Sequence, residues 1–273
     1  MPTKNQPLNE EETREDGYII EIFSSFQGEG GSVRGSCFGK RQIFIRFAGC
    51  DLQCRWCDTP NALNPKYPIC RVETVPGTWE FTKYENPVSQ EFVIEQVLGL
   101  STRDFHSVAL TGGEPTYDEQ FFSKIVHKLY DLELPVFLET AGYQPKRIKR
   151  VAKLLSYACV DIKDRSAECT KNESREALIN KELETITLLT NYSVKVFAKL
   201  VVTEETKLED VRMIADKIRE LVVPIVIQPV TPTKKVAAIS NQKLFKISET
   251  MGEVLPTDLF GLSIQGHKLL SLL

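Results

Sequence analysis

The feature that most limits the fold is an alternation. Short β-rich runs recur along the chain: YIIEIF (18–23), QIFIRF (42–47), SVALT (107–111), PVFLET (135–140), ACVDIK (158–163), VKVFAKLVV (194–202) and PIVIQPV (224–230). Helical patterns lie between them. One carries Phe121, Phe122, Ile125, Val126, Leu129 and Tyr130, another Leu208, Val211, Ile214, Ile218 and Leu221, at the spacings of one helix face. Apolar strands separated by amphipathic helices imply a parallel sheet with right-handed crossovers, either an open sheet or a barrel, complete or partial. Chemistry is expected at the strand ends.

At 273 residues the chain can bury one large core, and an α/β barrel of this size commonly forms one domain. A single domain is expected over residues 17–273, after a polar extension (1–16) that is expected to be frayed. Residues 61–88, NALNPKYPICRVETVPGTWEFTKYENPV, break the rhythm with Pro65, Pro68, Pro76 and Pro87 and no clear period. They are expected to form a long inserted loop, a candidate lid. With 34 Lys+Arg against 37 Asp+Glu the net charge is -3, so nothing favours a polyanion partner, and no direct nucleic-acid binding is expected. No apolar run reaches the roughly eighteen residues of a membrane span, and the N-terminus is charged where a signal peptide is apolar. A cytoplasmic protein is expected.

FAGCDLQCRWCDTP (47–60) sets Cys50, Cys54 and Cys57 directly after a β-rich run. In a reducing compartment the seven cysteines are not expected to form a disulfide framework, and an odd number would leave one unpaired. Cys37, Cys70, Cys159 and Cys169 are scattered, the usual pattern of small buried hydrophobes. The close-spaced three point to a metal or cluster. A structural zinc ion normally takes four ligands, often as two CxxC pairs. No second pair exists, and His106, His127 and His267 are distant in sequence. Three thiolates on a four-iron cluster leave one iron open for another ligand. Spacing alone leaves cluster, zinc and chance grouping open.

CxxxCxxC with Trp56 before the third cysteine resembles the signature of the radical S-adenosylmethionine superfamily. The resemblance implies a partial, open TIM-like β/α barrel of about six parallel strands. It also implies a [4Fe-4S] cluster on Cys50, Cys54 and Cys57, whose open iron binds the amino and carboxylate groups of S-adenosylmethionine. TGGEP (111–115) looks like the superfamily's loop for the methionine amino group. Gly112 and Gly113 allow close backbone approach and Glu114 offers an acceptor, although an ordinary strand-to-helix turn has the same form. The cofactor set implied by the resemblance also includes Trp56, Glu139 and Thr140 of LETAG, Asp161 and Lys163 of VDIK, and Gln228 of VIQPV.

EIFSSFQGEG (21–30) followed by FIRFAGCDLQCRWCDTP (44–60) is similar to the 7-carboxy-7-deazaguanine synthases. In QGEG an amide and a carboxylate sit between flexible glycines, which suits the flat donor and acceptor edge of a pterin; a plain glycine turn would look the same. The resemblance places Gln27, Gly28, Glu29, Gly30 and Thr111 at the substrate. It puts Arg46 on the substrate carboxylate, a group Arg binds bidentately. It gives Thr59 to a Mg2+ ion that also touches the substrate, an ion suited to hard oxygen ligands. Asp58 would assist from outside or cap a helix. Gln265, His267 and Lys268 of LSIQGHKLLSLL match a Gln-x-His-Lys segment of the family, where Gln265 and His267 are placed at the substrate.

The implied reaction starts with one electron from flavodoxin or ferredoxin and cleavage of S-adenosylmethionine to a 5′-deoxyadenosyl radical. Hydrogen abstraction from 6-carboxy-5,6,7,8-tetrahydropterin and ring contraction with loss of ammonia then give 7-carboxy-7-deazaguanine, on the way to queuosine or archaeosine. A homodimer is implied as well, and residues 61–88 look similar to archaeal forms. Two departures stand out. VDIK replaces a serine-proline-lysine segment and looks more like enzymes that activate glycyl radicals, and the terminal SLL differs from the family's end. A glycyl-radical activase and a zinc-stabilised binding module are the alternatives.

Overall fold

The computed structural model describes residues 16–170 and 173–272. The extension expected over 1–16 lies outside the described residues except for Asp16, which pairs with Ser89. In chain order the strands are β1 (Asp16–Gly17), β2 (Ile19–Phe26), β3 (Arg41–Phe47), β4 (Ile69–Glu73), β5 (Phe81–Glu85), β6 (Val88–Ser89), β7 (Phe105–Gly112), β8 (Val136–Thr140), β9 (Tyr157–Ile162), β10 (Lys195–Val202), β11 (Ile225–Pro229) and β12 (Phe260–Leu262). The helices are α1 (Gln90–Leu100), α2 (Glu119–Asp131), α3 (Pro145–Lys149), α4 (Arg175–Asn191), α5 (Leu208–Leu221), α6 (Asn241–Gly252) and α7 (Gly266–Leu269).

One ten-stranded sheet carries the fold, in the order β12-β11-β10-β9-β8-β7-β3-β2-β4-β5. From β3 to β12 every neighbouring pair is parallel. Five long strands and β3 thus form the expected parallel array, with three-residue β12 at one edge. β2 runs antiparallel to β3, and β5 forms the far edge. The sheet is a partial, open barrel.

The long strands β3 and β7–β11 obey a period of two and are buried on both faces for most of their length, whereas edge strand β5 is largely exposed. In β3, Ile43, Ile45 and Phe47 join the large core under the helices, while Phe44 belongs to the inner cluster and Gln42 bonds Ser107 beside it. α2 shows how the outer layer forms: Asp118 caps it by accepting from the Phe121 N–H, and Phe121, Phe122, Ile125, Val126 and Leu129 face the sheet. Full burial of each such side chain stabilises by about 1.5–3 kcal/mol. The inner face is layered. Phe44, Ala109, Phe137, Phe197 and Val226 fill its lower level. One step nearer the carboxyl ends the same face presents Arg46, Thr111, Glu139, Asp161, Lys199 and Gln228. That second level is the floor of the site.

Residues 61–88 are not the expected loop. Within them β4 lies parallel to β2, and β5 returns antiparallel to β4, so the segment adds a hairpin to the sheet edge. Cys70 and Val72 bury one face of β4. Pro68, Pro76 and Pro87 fall outside both strands, where they punctuate the hairpin without removing a ladder donor. Glu73 fastens the turn, accepting from the Gly77 and Trp79 N–H groups at 2.8 and 3.2 Å.

Candidate active site

The three cysteines occupy the loop that leaves β3, and neighbouring segments clamp it. Gly49 N–H donates to Ala62 O (2.7 Å), Gln53 N–H to Cys169 O (2.9 Å) and Arg55 N–H to Ala167 O (3.1 Å). Half-buried Cys50, Cys54 and Cys57 line one cavity of about 380 Å³. Burial pushes the Cys50 thiol up to about 12 and raises that of Cys57. Cys54 differs: its interaction with the Cys169 thiol brings it down to about 7. Cys37, Cys70, Cys159 and Cys169 are all buried.

Among the described residues no three His, Cys, Asp or Glu side chains converge to hold a single metal ion. A four-iron cluster makes a different demand, one thiolate for each of three irons, so its ligands surround a group rather than a point. Three cysteines on one clamped loop, facing one cavity, fit that demand.

The TGGEP turn is built against this loop. Gly113 N–H donates to Phe47 O (3.0 Å) and Glu114 N–H to Gly49 O (2.8 Å). A β-carbon on Gly113 would fall 2.1 Å from Gly49 O and 2.9 Å from Ala62 O, both backbone atoms that cannot yield. Gly113→Ala is therefore expected to displace the cysteine loop and destabilise the protein by at least the roughly 1–3 kcal/mol of overpacking. Thermal unfolding and iron content measure this, and an unchanged value for both would contradict the contact.

Glu114 plays a part its sequence motif does not disclose. It does not line the cavity. Its buried carboxylate accepts from the Thr140 hydroxyl (2.9 Å), the Ala141 N–H (2.9 Å) and the Thr116 hydroxyl (2.8 Å). Burial raises its pKa and these donors oppose the rise. Glu114 thus ties the glycine turn to the end of β8, while Gly112, Gly113 and Thr140 themselves face the cavity.

Lys199 is central to the charged level. Its ammonium pairs with Glu29 and lies 3.2 Å from Asp161 Oδ1. Burial works against that charge, but Asp161, Glu29 and Glu139 outweigh it and keep lysine protonated. Lys163 adds a second cation, 2.7 Å from Asp161 Oδ2. Gln27 donates to Glu139 Oε1 (2.7 Å), Thr111 to Glu139 Oε2 (2.7 Å) and Gln265 to Glu29 Oε1 (2.8 Å). Burial lifts the Glu139 pKa, partly countered by Lys199; for Glu29 the opposing pull of Lys199 and Gln265 wins and the pKa falls.

Arg46 stands at the wall. It donates through Nε to Glu21 (2.8 Å) and through Nη1 to the Thr59 hydroxyl (3.3 Å), and its guanidinium lies 5.6 Å from the centroid of the Phe23 ring. Phe23 stacks on Phe44, centroids 5.2 Å apart, to give a flat apolar face inside the cavity. Opposite, α7 closes on the QGEG loop through Gly266 N–H to Gly28 O (2.8 Å). A β-carbon on Gly28 would lie 2.2 Å from His267 Nδ1, so only glycine admits the histidine there. Burial holds the His267 ring below the usual imidazolium range.

The cavity collects the motif residues from both ends of the chain. Cys50, Cys54, Trp56, Cys57, Thr59, Gly112, Gly113, Glu139, Thr140, Asp161, Lys163 and Gln228 line it with Gln27, Gly28, Glu29, Arg46, Thr111, Gln265 and His267. Glu114 stands behind it, and Gly30 packs at Ser36 and Phe197 with φ +101°. From 61–88, Leu63 is the described residue on its wall. Sequence reasoning missed Lys199, Phe23 and Phe44, and placed Lys268 in a family segment without giving it a role; all four line the cavity. For Lys199 a signal existed: a lysine at an inward position of the apolar run VKVFAKLVV.

An open β/α barrel with a cysteine loop at its carboxyl end defines a class. Residues 44–218 match the model of the Radical SAM superfamily, and the chain belongs to that superfamily. It is 44% identical to a 7-carboxy-7-deazaguanine synthase of Thermococcus kodakarensis, across 93% of this chain and 98% of that protein. A synthase of the same name from Methanocaldococcus jannaschii is 38% identical, across 93% of this chain and 100% of the relative. Within the superfamily, the chain belongs to the 7-carboxy-7-deazaguanine synthases. The crystal structure of QueE from Escherichia coli shares the fold, with a TM-score of 0.54 at 18% identity over 92% of this chain and 95% of that one.

Proposed function

We propose that this chain is a radical S-adenosylmethionine lyase converting 6-carboxy-5,6,7,8-tetrahydropterin to 7-carboxy-7-deazaguanine with loss of ammonia. The observation that carries this is the shared cavity: the cysteine loop and the QGEG loop, far apart in sequence from Gln265 and His267, open into one space. Cys50, Cys54 and Cys57 would hold the cluster, and reductive cleavage of S-adenosylmethionine to methionine and a 5′-deoxyadenosyl radical is the chemistry it supplies when bound. The protein's own residues orient and enclose. Phe23 and Phe44 offer an apolar face for a flat ring, Gln27 and Glu29 offer an amide and a carboxylate at its edge, and Arg46 offers its guanidinium to the carboxylate. Lys199 holds Glu29 ionised and in place. His267, kept neutral, can accept a proton at its ring nitrogen.

Thr59 and Asp58 are the proposed oxygen donors for Mg2+. The Thr59 hydroxyl donates to Asp58 (3.3 Å) and accepts from Arg46, which leaves a lone pair for a hard cation. The proposed electron donor is flavodoxin or ferredoxin, the proposed assembly a homodimer and the proposed destination of the product a 7-deazapurine of tRNA. Among the described residues no helix is long and apolar enough to cross a membrane.

Anaerobic reconstitution with iron and sulfide, then S-adenosylmethionine, reductant, Mg2+ and the carboxytetrahydropterin, tests the proposal. Mass spectrometry is expected to find 5′-deoxyadenosine and 7-carboxy-7-deazaguanine together. Deoxyadenosine without the deazaguanine would overturn the substrate and leave the radical chemistry standing.

A further inference from the structure

Glu21 stands on β2 between two arginines. Register pairs it with Arg46 of β3 on one side and Arg71 of β4 on the other, so the three side chains share one face of the sheet. Glu21 is buried and divides its carboxylate between them: Arg46 Nε donates to Oε1 at 2.8 Å, and Arg71 Nη2 donates to Oε2. Arg71 is braced by Phe81 across the hairpin, its guanidinium 5.0 Å from the ring centroid. Arg46 lines the cavity, with Glu21 and Arg71 behind it.

A carboxylate and a guanidinium left alone tend to pair through two parallel hydrogen bonds. Such a fork would occupy both Nε and an Nη group of Arg46 and cancel its charge. With Oε2 taken by Arg71, Glu21 keeps Oε1 for Nε, and Arg46 Nη1 reaches Thr59 at the cavity wall. Charge tells the same story: one carboxylate between two guanidiniums leaves one unit of positive charge beside the cavity.

We infer that Arg71, contributed by the hairpin within residues 61–88, is a positioning residue that keeps Arg46 free to take a carboxylate on the ligand. The inference rests on the carboxypterin site proposed above. Glu21 supplies the hinge: its second oxygen is held by Arg71, so it does not pull the Arg46 guanidinium out of the cavity. The hairpin is then part of substrate selection without touching the substrate.

Two pterins that differ at one substituent test it, 6-carboxypterin and the neutral 6-hydroxymethylpterin. Equilibrium dialysis under anaerobic conditions measures both on the reconstituted protein with S-adenosylmethionine bound. Wild type is expected to prefer the carboxylate. Arg71→Gln is expected to weaken 6-carboxypterin about fivefold and leave 6-hydroxymethylpterin unchanged. Arg71→Lys, which keeps a cation on Oε2, is expected to restore most of the preference. The Arg71 side chain is 44% exposed, so these replacements leave the core intact. A preference that survives in Arg71→Gln overturns the inference alone, and so does an equal loss of both ligands, the mark of a purely structural role. No carboxylate preference in wild type overturns the site assignment, and the inference falls with it.

Discussion

Cys54→Ala is expected to lose its iron and, with it, all cleavage of S-adenosylmethionine. In the proposed cluster each of the three thiolates would hold one iron, so removing one would leave a cluster attached at two points on a loop open to the cavity. Cys54 differs from the other two in its surroundings. It lies at the centre of the loop, between the Gln53 and Arg55 N–H groups that bind the 167–169 segment, and beside the Cys169 thiol that favours its ionised form. A thiolate, not a thiol, is the ligand form, and the Cys169 thiol favours that form at Cys54. After anaerobic reconstitution, iron is expected to fall from about four atoms per chain to below about one. Deoxyadenosine is expected to fall to the level seen without protein. Cys169→Ala is the control: it removes a neighbour of the loop but no ligand, and most of the iron is expected to remain. A Cys54→Ala protein with full iron would assign Cys54 a structural part and move the ligand to another sulfur.

How much of this was legible in the sequence depends on the distance over which each contact acts. The parallel strands could be found because burial on both faces leaves continuous apolar runs, as in QIFIRF and PIVIQPV. Arg46, Glu139, Asp161 and Gln228 could be found because each follows such a run or belongs to a motif. The β4–β5 hairpin could not, because its strands are five residues each and prolines crowd their flanks. Glu114 illustrates a different limit. As an acceptor it suits an ammonium or a row of protein donors equally well, and only the fold brings Thr140 and Ala141 within reach of it. The contact of Gly28 with His267 likewise joins segments from opposite ends of the chain, and no local pattern encodes that meeting.

Lys199→Met is expected to cost the protein stability as well as activity. The methionine would fill similar volume but would leave Glu29, Glu139 and Asp161 around a site with no ammonium at its centre. Breaking a buried ion pair from one side costs about 3–5 kcal/mol, because the surviving charge stays desolvated and unpaired. In a chain of this size that corresponds to a fall in Tm on the order of 10 °C. Lys163 remains, but it sits on the other oxygen of Asp161 and offers Glu29 nothing. The effect has a pH signature. Pairing with Lys199 holds the Glu29 pKa below its ordinary 4.5, so the stability this pair contributes is fully present above 4.5 and is lost as pH falls through the lower, folded value. The gap between wild type and Lys199→Met is therefore expected to be full at neutral pH and to narrow under acid, as the unpaired carboxylates take up protons. Thermal unfolding across that range measures it. Lys199→Arg, which keeps a cation in the same place, is expected to recover part of the loss; a Lys199→Met protein as stable as wild type at neutral pH would show that the carboxylates do not depend on this lysine.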